Sequence, residues 1–137
     1  MARLPGRNLP DQIRAFRAKS VARLEAASRE IVEETARRIV ARTPIDTGLL
    51  ASSYNYSIGS PDRSTPEAPG ERAVNGITAL PAHPLGLRHF VSSSVHYAGF
   101  VEHGTSRMAP RAMVGLTLVE LPDIIRGALA LAKTQKP

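Results

Sequence analysis

The chain has 137 residues, a formal net charge of +6 and no cysteine. This length predicts one domain over residues 1–137. Without cysteine, disulfides, thiolate metal sites and cysteine nucleophiles are excluded. The positive charge suits a polyanionic partner. The most apolar tract, 114–132, contains Glu120, Asp123 and Arg126. That density of charge argues against a membrane span, and no apolar signal-peptide core follows the basic start.

The N-terminal third predicts one long helix. Prolines and a glycine within residues 1–10 predict a flexible arm, and Asp11 is placed to cap a helix that begins just after Pro10. Apolar residues at helical spacing then continue to about Arg42. Such a helix would be about 48 Å long. We therefore expect it either to break near Lys19-Ser20 or to project and pack against another subunit.

The segment after this helix predicts a tight turn. Pro44 ends the helix, and the side chains of Asp46 and Thr47 can accept hydrogen bonds from the following backbone N–H groups. Gly48 permits the turn, and Leu50 belongs to a short apolar helical turn after it.

The middle of the chain predicts a small sheet interrupted by a long loop. Alternating side chains predict strands over 54–58 and 88–95, and a short strand over 77–80. Between them, residues 59–76 are rich in proline, glycine and charge. They predict a long central loop, which is usually functional or mobile in a small domain.

The segment 97–110 predicts a compact corner. Tyr97, Val101 and Gly104 share one helical face, and Gly104 supplies the residue that ends a helical turn. Pro110 suits the first position of a new helix, and it biases Ala109 toward an extended conformation. On local physics alone, this segment is equally well explained as plain architecture.

The C-terminal residues predict helices that are apolar on most sides. The apolar positions between 113 and 131 surround much of the circumference, so burial from more than one direction is expected. Pro122 predicts a kink or two short helices. Residues 133–137 are expected to fray. Together these elements predict an α+β fold, with a long N-terminal helix and C-terminal helices packed on a small antiparallel sheet.

Patterns for chemistry are weak. The four histidines lack the spacing of a zinc protease motif, and Asp46 with Glu102 is better explained by capping or ion pairing than by acid–base chemistry. Phosphate-binding loops, dinucleotide fingerprints and nucleophile elbows are missing from the sequence. We therefore expect no enzyme activity, no cofactor and no metal site. The diffuse basic charge suits non-specific contact with phosphates.

Two stretches together resemble a known family. The segment 43–52 (TPIDTGLLAS) resembles a TPvDTGxLxxS signature, and the segment 97–111 (YAGFVEHGTSRMAPR) is similar to a second signature, YAxxVExGT…MAPrPf. Both belong to the neck or tail-completion proteins of lambdoid-type long-tailed phages, the minor tail-component family. The chain departs from this pattern at Ala112-Met113, where the family often has Pro-Phe. The matching residues are Thr43, Pro44, Asp46, Thr47, Gly48, Leu50, Tyr97, Val101, Glu102, Gly104, Thr105, Ala109 and Pro110.

The resemblance implies a structural protein of the virion. Such proteins form a ring at the junction of capsid and tail, join or close the tail, and let genomic double-stranded DNA pass without sequence specificity. It implies a hexamer, with a dodecamer as the alternative. It also implies neighbouring neck, connector, tail-terminator and tail-tube proteins, with no membrane, and assembly in the bacterial host cytoplasm. We expect Arg63 and Arg72 of the long loop, or the basic face of the first helix, to face the DNA channel.

Two other classes of function stay open at this point. A small basic protein that binds DNA non-specifically on its own would show salt-sensitive duplex binding as a free monomer or dimer. A hydrolase, the more distant alternative, would need a cleft that joins Asp46, Glu102 and a histidine.

Overall fold

The computed structural model of the chain describes residues 8–44, 48–107 and 109–134. These residues confirm the predicted α+β fold, in which helices accompany a sheet of two antiparallel strands. The elements are α1 (Leu9–Arg42), β1 (Asn55–Ile58), a 3-10 turn (Ile77–Ala79), β2 (His89–Ser92), α2 (Ala98–His103), α3 (Met113–Val119) and α4 (Leu121–Thr134).

Helix α1 begins earlier than predicted. Asn8, and not Asp11, is its N-cap: the Asn8 Oδ1 atom accepts a hydrogen bond from the backbone N–H of Asp11 at 3.0 Å. Pro10 fits within the first turn because the backbone N–H groups there have no partner inside the helix. Leu9 and Pro10, assigned to an arm by the sequence, are therefore helical. Residues 1–7 of that arm lie outside the described part of the chain.

The break near Lys19-Ser20, one of the two alternatives for this helix, does not occur. Helix α1 runs without interruption over 34 residues, about 51 Å, because its interior has neither glycine nor a proline beyond the first turn. It ends as expected at Arg42. Thr43 then adopts an extended conformation (φ −77°, ψ 129°), as a residue before proline must.

The sheet is shorter than the sequence pattern suggested. Strands β1 and β2 pair with Asn55 opposite Ser92 and Ile58 opposite His89. The predicted strand over 77–80 is wrong, since Ile77–Ala79 forms a 3-10 turn. Gly76, with φ +82°, turns the chain there, and the N–H of Ala79 then bonds locally to the Gly76 carbonyl at 2.9 Å. The segment 77–79 therefore forms a tight turn and not an extended strand.

The central loop is tied to the rest of the fold at several points. Residues 59–76 contain no helix or strand, although Asn75 bridges to β1. The Asn55 side chain donates to the Ser64 carbonyl at 2.8 Å, and the Gly70 N–H donates to the Ser52 hydroxyl at 3.0 Å. These bonds fix the loop beside β1.

The main core lies where the second half of α1 meets the sheet and the α2–α3 corner. It is mainly aliphatic, and partly buried Val91, Tyr97 and Val101 pack against it. Its buried members are Ala36, Ile39, Val40, Leu50, Tyr54, Tyr56, Val74, Leu80, Val95 and Met113.

Helix α4 packs back along α1. Ala128 and Ala132 of α4 form a small buried cluster with Ala27, while Glu120, just before α4, pairs with Arg38 and Arg42 near the end of α1. The two helices are therefore antiparallel. Residues 9–26 of α1 include no buried side chain, so this half projects beyond the core.

The C-terminal helices break as predicted. Glu120 separates α3 from α4, and Pro122 is the second residue of α4, where its missing N–H costs nothing. Lys133 and Thr134, which the sequence assigned to a frayed tail, are helical, whereas residues 135–137 lie outside the described residues. Among the described helices, none combines the length and apolarity needed to cross a bilayer.

Ion pairs connect α1 to the α3–α4 junction. The Glu120 carboxylate pairs with Arg42 and, at 3.2 Å, with the Arg38 guanidinium. Arg38 also bonds to Glu34 at 2.8 Å. These arginines hold the pKa values of both carboxyls below the ordinary value: Arg42 is the main cause for Glu120, and Arg38 for Glu34. The network therefore favours the folded state when both carboxyls are ionised.

We expect acid to destabilise the fold partly through this network. Because the folded-state pKa values are depressed, the contribution is complete above the ordinary carboxyl pKa and is lost as the pH falls through the folded value. Urea unfolding of the wild type should therefore show a lower midpoint at pH 3 to 4 than at pH 7, at about 25 °C. Glu120→Gln should show a smaller decrease. An equal decrease in both proteins would contradict the assignment.

Candidate functional site at the corner between α2 and α3

The two segments that the sequence singled out meet at one core. Thr43 and Leu50 of the first segment are buried, with 2% and 4% of their surface exposed. Leu50 is a member of the core cluster, and Tyr97 and Val101 of the second segment pack against that same cluster. Segments about 50 residues apart in the chain therefore share one packing unit.

Thr43 is a buried polar link within this unit. Its hydroxyl donates its only proton to the Ile39 carbonyl at 2.8 Å. In the 3.1 Å contact between the two hydroxyls, Tyr54 is therefore the donor and Thr43 the acceptor. Burial raises the pKa of Tyr54, which keeps this donor protonated. The first segment is thereby fixed to the end of α1.

Gly48 forms the turn that the sequence predicted. Its φ is +74°, a conformation that costs little only for glycine. The carbonyl of Gly48 accepts from the Ser52 N–H at 3.1 Å and from the Ser52 hydroxyl at 2.9 Å. Asp46 and Thr47 lie outside the described residues, so their capping role stays a prediction.

Gly104 ends α2, as predicted. Its N–H donates to the Phe100 carbonyl at 2.8 Å, and its φ of +79° with ψ of 174° belongs to a region open essentially to glycine alone. After it, the Thr105 hydroxyl accepts from the Arg107 N–H at 3.2 Å. The corner is thus closed by backbone geometry and local polar contacts.

The predicted helix start at Pro110 is wrong. Helix α3 begins at Met113, because the residues before it pair with the end of α2. The N–H of Arg111 donates to the Val101 carbonyl at 2.9 Å, and the N–H of Ala112 donates to the Glu102 carbonyl at 3.0 Å. Ala112 takes a left-handed conformation (φ 47°) to enter the helix. Ala109 and Pro110 lie in the exposed connection before this turn.

Glu102 caps α3, one of the two roles its sequence position suggested. Its two carboxylate oxygens accept from the N–H groups of Val114 at 2.9 Å and Gly115 at 2.8 Å. These donors have no partner inside the helix. A Cβ on residue 115 would lie 3.2 Å from the Glu102 Oε1 atom, so glycine leaves room for the carboxylate. One side chain thereby joins α2 to α3.

The contributions of Gly115 and Glu120 do not follow from the sequence pattern. Gly115 looked like an ordinary glycine in an apolar tract, although its position near a helix start was a usable signal. Glu120 partners arginines about 80 residues earlier in the chain, and nothing local indicates such a pairing. Both residues position the corner rather than supply reactive groups.

The two loop arginines have different surroundings. The Arg72 guanidinium donates through Nη2 to the carbonyls of Val40, Ala41 and Thr43 at 2.8–2.9 Å. It therefore closes the C-terminal end of α1, where cations are favoured. Arg63 is exposed on the loop. Whether either residue faces a DNA channel stays a prediction.

Two of the histidines have structural partners. His89 lies between the Tyr56 hydroxyl, 2.6 Å from Nδ1, and the Pro84 carbonyl, 2.9 Å from Nε2. A carbonyl only accepts, so Nε2 carries the proton and Nδ1 accepts from Tyr56. His96 packs edge-on against Tyr97. Within the described ranges, no three His, Asp or Glu side chains are grouped so that they could hold a metal ion.

Comparisons of the chain with protein-family models, curated proteins and solved structures found no match. The assignment of function therefore depends on the two signature segments and on the surfaces that the fold presents.

Replacing Glu102 should destabilise the fold measurably. Glu102→Ala removes both hydrogen bonds to the start of α3 and should lower the free energy of unfolding by about 1–2 kcal/mol. Glu102→Gln keeps one acceptor and turns an N–H group toward another donor, so a similar or smaller loss is expected. Urea unfolding measures both.

Glu67→Gln is the matched control, since Glu67 is exposed on the central loop and its replacement makes the same change in charge. It should unfold at the wild-type urea concentration. Equal stability of Glu102→Ala and the wild type would disprove the capping role.

Arg72 should matter for stability more than Arg63 does. Arg72→Ala removes the side-chain donor that three carbonyls at the end of α1 share, and it should cost about 1–2 kcal/mol. Arg63→Ala removes the same charge from the same loop and should change stability by less than about 0.5 kcal/mol. Thermal unfolding of the two variants in parallel tests this, and equal melting temperatures would contradict it.

Proposed function

We propose that this chain is a structural virion protein of the head–tail junction of a long-tailed phage or prophage. In this role it forms a ring that joins or closes the tail and lets double-stranded DNA pass through the centre. The resemblance of residues 43–52 and 97–111 to the neck and tail-completion family motivates the proposal. Its support from the fold is that both segments build one corner around a shared core.

The observation that carries the assembly role is apolar surface left uncovered in two separate regions. On α3, Leu118 and Val119 are exposed over 55% and 77% of their surface. On the projecting half of α1, Phe16 is 74% exposed. Contiguous exposed apolar residues mark interaction sites. Contacts between the subunits of a ring are heterologous, and a ring within a larger assembly also contacts neighbouring proteins. The α3 region and the α1 region are candidates for these two kinds of contact.

The remaining parts of the proposal follow from the family. We favour a hexamer that matches the tail tube over a dodecamer that matches the portal. The partners are other neck, connector, tail-terminator and tail-tube proteins, and the protein assembles in the host cytoplasm before it enters the virion. The role is structural and not enzymatic. DNA meets the ring through phosphates, for which diffuse arginine and lysine charge is sufficient.

One observation favours a second candidate, a basic protein that binds DNA non-specifically by itself. Arg17, Lys19, Arg23 and Arg29 have no ion pair among the described residues. Three of them, Arg17, Lys19 and Arg29, are also exposed on α1, which suits contact with phosphates. This alternative predicts strong, salt-sensitive duplex binding by the isolated chain, whereas the neck role predicts weak binding before assembly.

Electron microscopy of particles made with and without this gene tests the proposed function. Without the gene we expect filled heads and tails that fail to join, or tails without a defined end. The reason is that particles made without the gene would lack the ring that joins or closes the tail. Normal particles in the absence of the gene would refute the proposal.

Complementation with variants makes this experiment specific. Val119→Glu places a charge on the exposed face of α3 and should fail to restore joined particles, since a buried unpaired charge opposes assembly. Glu102→Gln should restore them only in part, because the corner that presents α3 is weakened. Glu67→Gln should complement fully.

A further inference from the structure

The projecting half of α1 carries a narrow apolar stripe. At about 100° per residue, Leu9, Ile13, Phe16 and Leu24 fall within a sector roughly 80° wide. All four are exposed, by 47% to 74%. The stripe is about 22 Å long, so it has the dimensions of a surface on which one helix can lie lengthwise.

The stripe continues a surface that already packs a helix. Ala27 and Ile31 lie in the same angular sector of α1, and α4 covers them through Ala128 and Ala132. Helix α4 is described as far as Thr134, and the four residues of the stripe are not part of the buried cluster that it forms with α1. A second helix placed end to end with α4 would bury the rest of the same seam.

Charge indicates the chemistry of that second helix. Arg17 flanks the stripe on one side and Arg23 on the other, each about 20° from its edge, and neither has an ion pair among the described residues. The acidic residues of this half point away. Asp11 bonds to Arg14 at 3.3 Å, and Glu25 accepts from the Leu85 N–H at 3.0 Å.

A second copy of α1 fits this surface poorly. Pairing two identical stripes would bring the basic flanks of one helix against the basic flanks of the other, and like charges across a helix pair oppose association. A partner helix with leucine-type residues in the centre and carboxylates at the flanks would satisfy both features.

We propose that the N-terminal half of α1 is the docking surface for an acidic amphipathic helix of another protein, which extends the path of α4 along α1. The inference rests on the proposed function only in the expectation that other assembly proteins meet this chain. It assigns a different partner to each of the two exposed apolar regions. The α3 face contacts further copies of this chain, and the α1 stripe contacts a different, acidic protein.

Binding of designed peptides to the full chain tests the proposal. The probe is a fluorescently labelled amphipathic peptide of about 16 residues, with leucines three and four positions apart and glutamates beside them. The control peptide has the same sequence with lysines in place of the glutamates. Fluorescence anisotropy should show binding of the acidic peptide only, and the affinity should fall as the salt concentration rises.

Variants locate the binding surface. Phe16→Asn should weaken binding of the acidic peptide by at least about tenfold, without loss of helical circular dichroism, because Phe16 is exposed and supports no core contact. The double change Arg17→Glu and Arg23→Glu should transfer the preference to the lysine peptide. Leu118→Asn, on the exposed face of α3, is the matched control and should bind like the wild type.

Three outcomes would overturn the proposal. The first is no binding of the acidic peptide, or equal binding of both peptides. The second is concentration-dependent self-association in analytical ultracentrifugation that Phe16→Asn abolishes, which would assign the stripe to a second copy. The third is binding to phosphatidylglycerol vesicles that Phe16→Asn abolishes while the acidic peptide stays unbound. Particle morphology tests the ring separately, so either proposal can fail alone.

Discussion

The carboxylate of Glu102 holds the start of α3 against α2, and the path of the C-terminal part of the chain depends on that contact. Its two oxygens satisfy the N–H groups of Val114 and Gly115, while the Glu102 backbone carbonyl pairs with Ala112. One residue thus fixes both where α3 begins and in which direction it runs. Because α4 follows within two residues, the same contact sets the line along which α4 packs on α1. Arg42 and Glu120 secure the far end of that arrangement.

Side chains distant in sequence close two of the helix ends in this fold. Arg72 supplies donors to the last carbonyls of α1, as Glu102 supplies acceptors to the first N–H groups of α3. Both contacts lie at the signature segments. A small, largely aliphatic core leaves little stabilisation in reserve, so polar contacts of this kind carry a larger share of the specificity of the fold. These contacts give Glu102 and the carbonyl of Thr43 structural roles within segments 97–111 and 43–52.

The sequence predicted the elements that depend on local signals. The prediction failed where contacts between distant residues determine the structure. Helix α1, the turn at Gly48, the end of α2 at Gly104 and the break at Pro122 each follow from periodicity or from a backbone restriction. The strand expected at 77–80 failed because the left-handed Gly76 commits the chain to a tight turn. The start of α3 was misplaced because backbone bonds to Val101 and Glu102 hold residues 111–112 outside the helix. Of the site, Glu102 was found as a cap, but its donors and the role of Glu120 depend on tertiary contacts that no local pattern reveals.

The projecting half of α1 has a consequence for how order spreads along the chain. Most of the stability of a helix in a protein comes from packing of its apolar face, so the first turns of α1 remain helical chiefly because they continue a helix already anchored by α4 and the core. Protection of backbone amides from exchange with solvent should therefore decline steadily from Ala27 toward Leu9. A contact made near Phe16 would lengthen the anchored portion, so that binding at the tip and ordering of the helix become the same event.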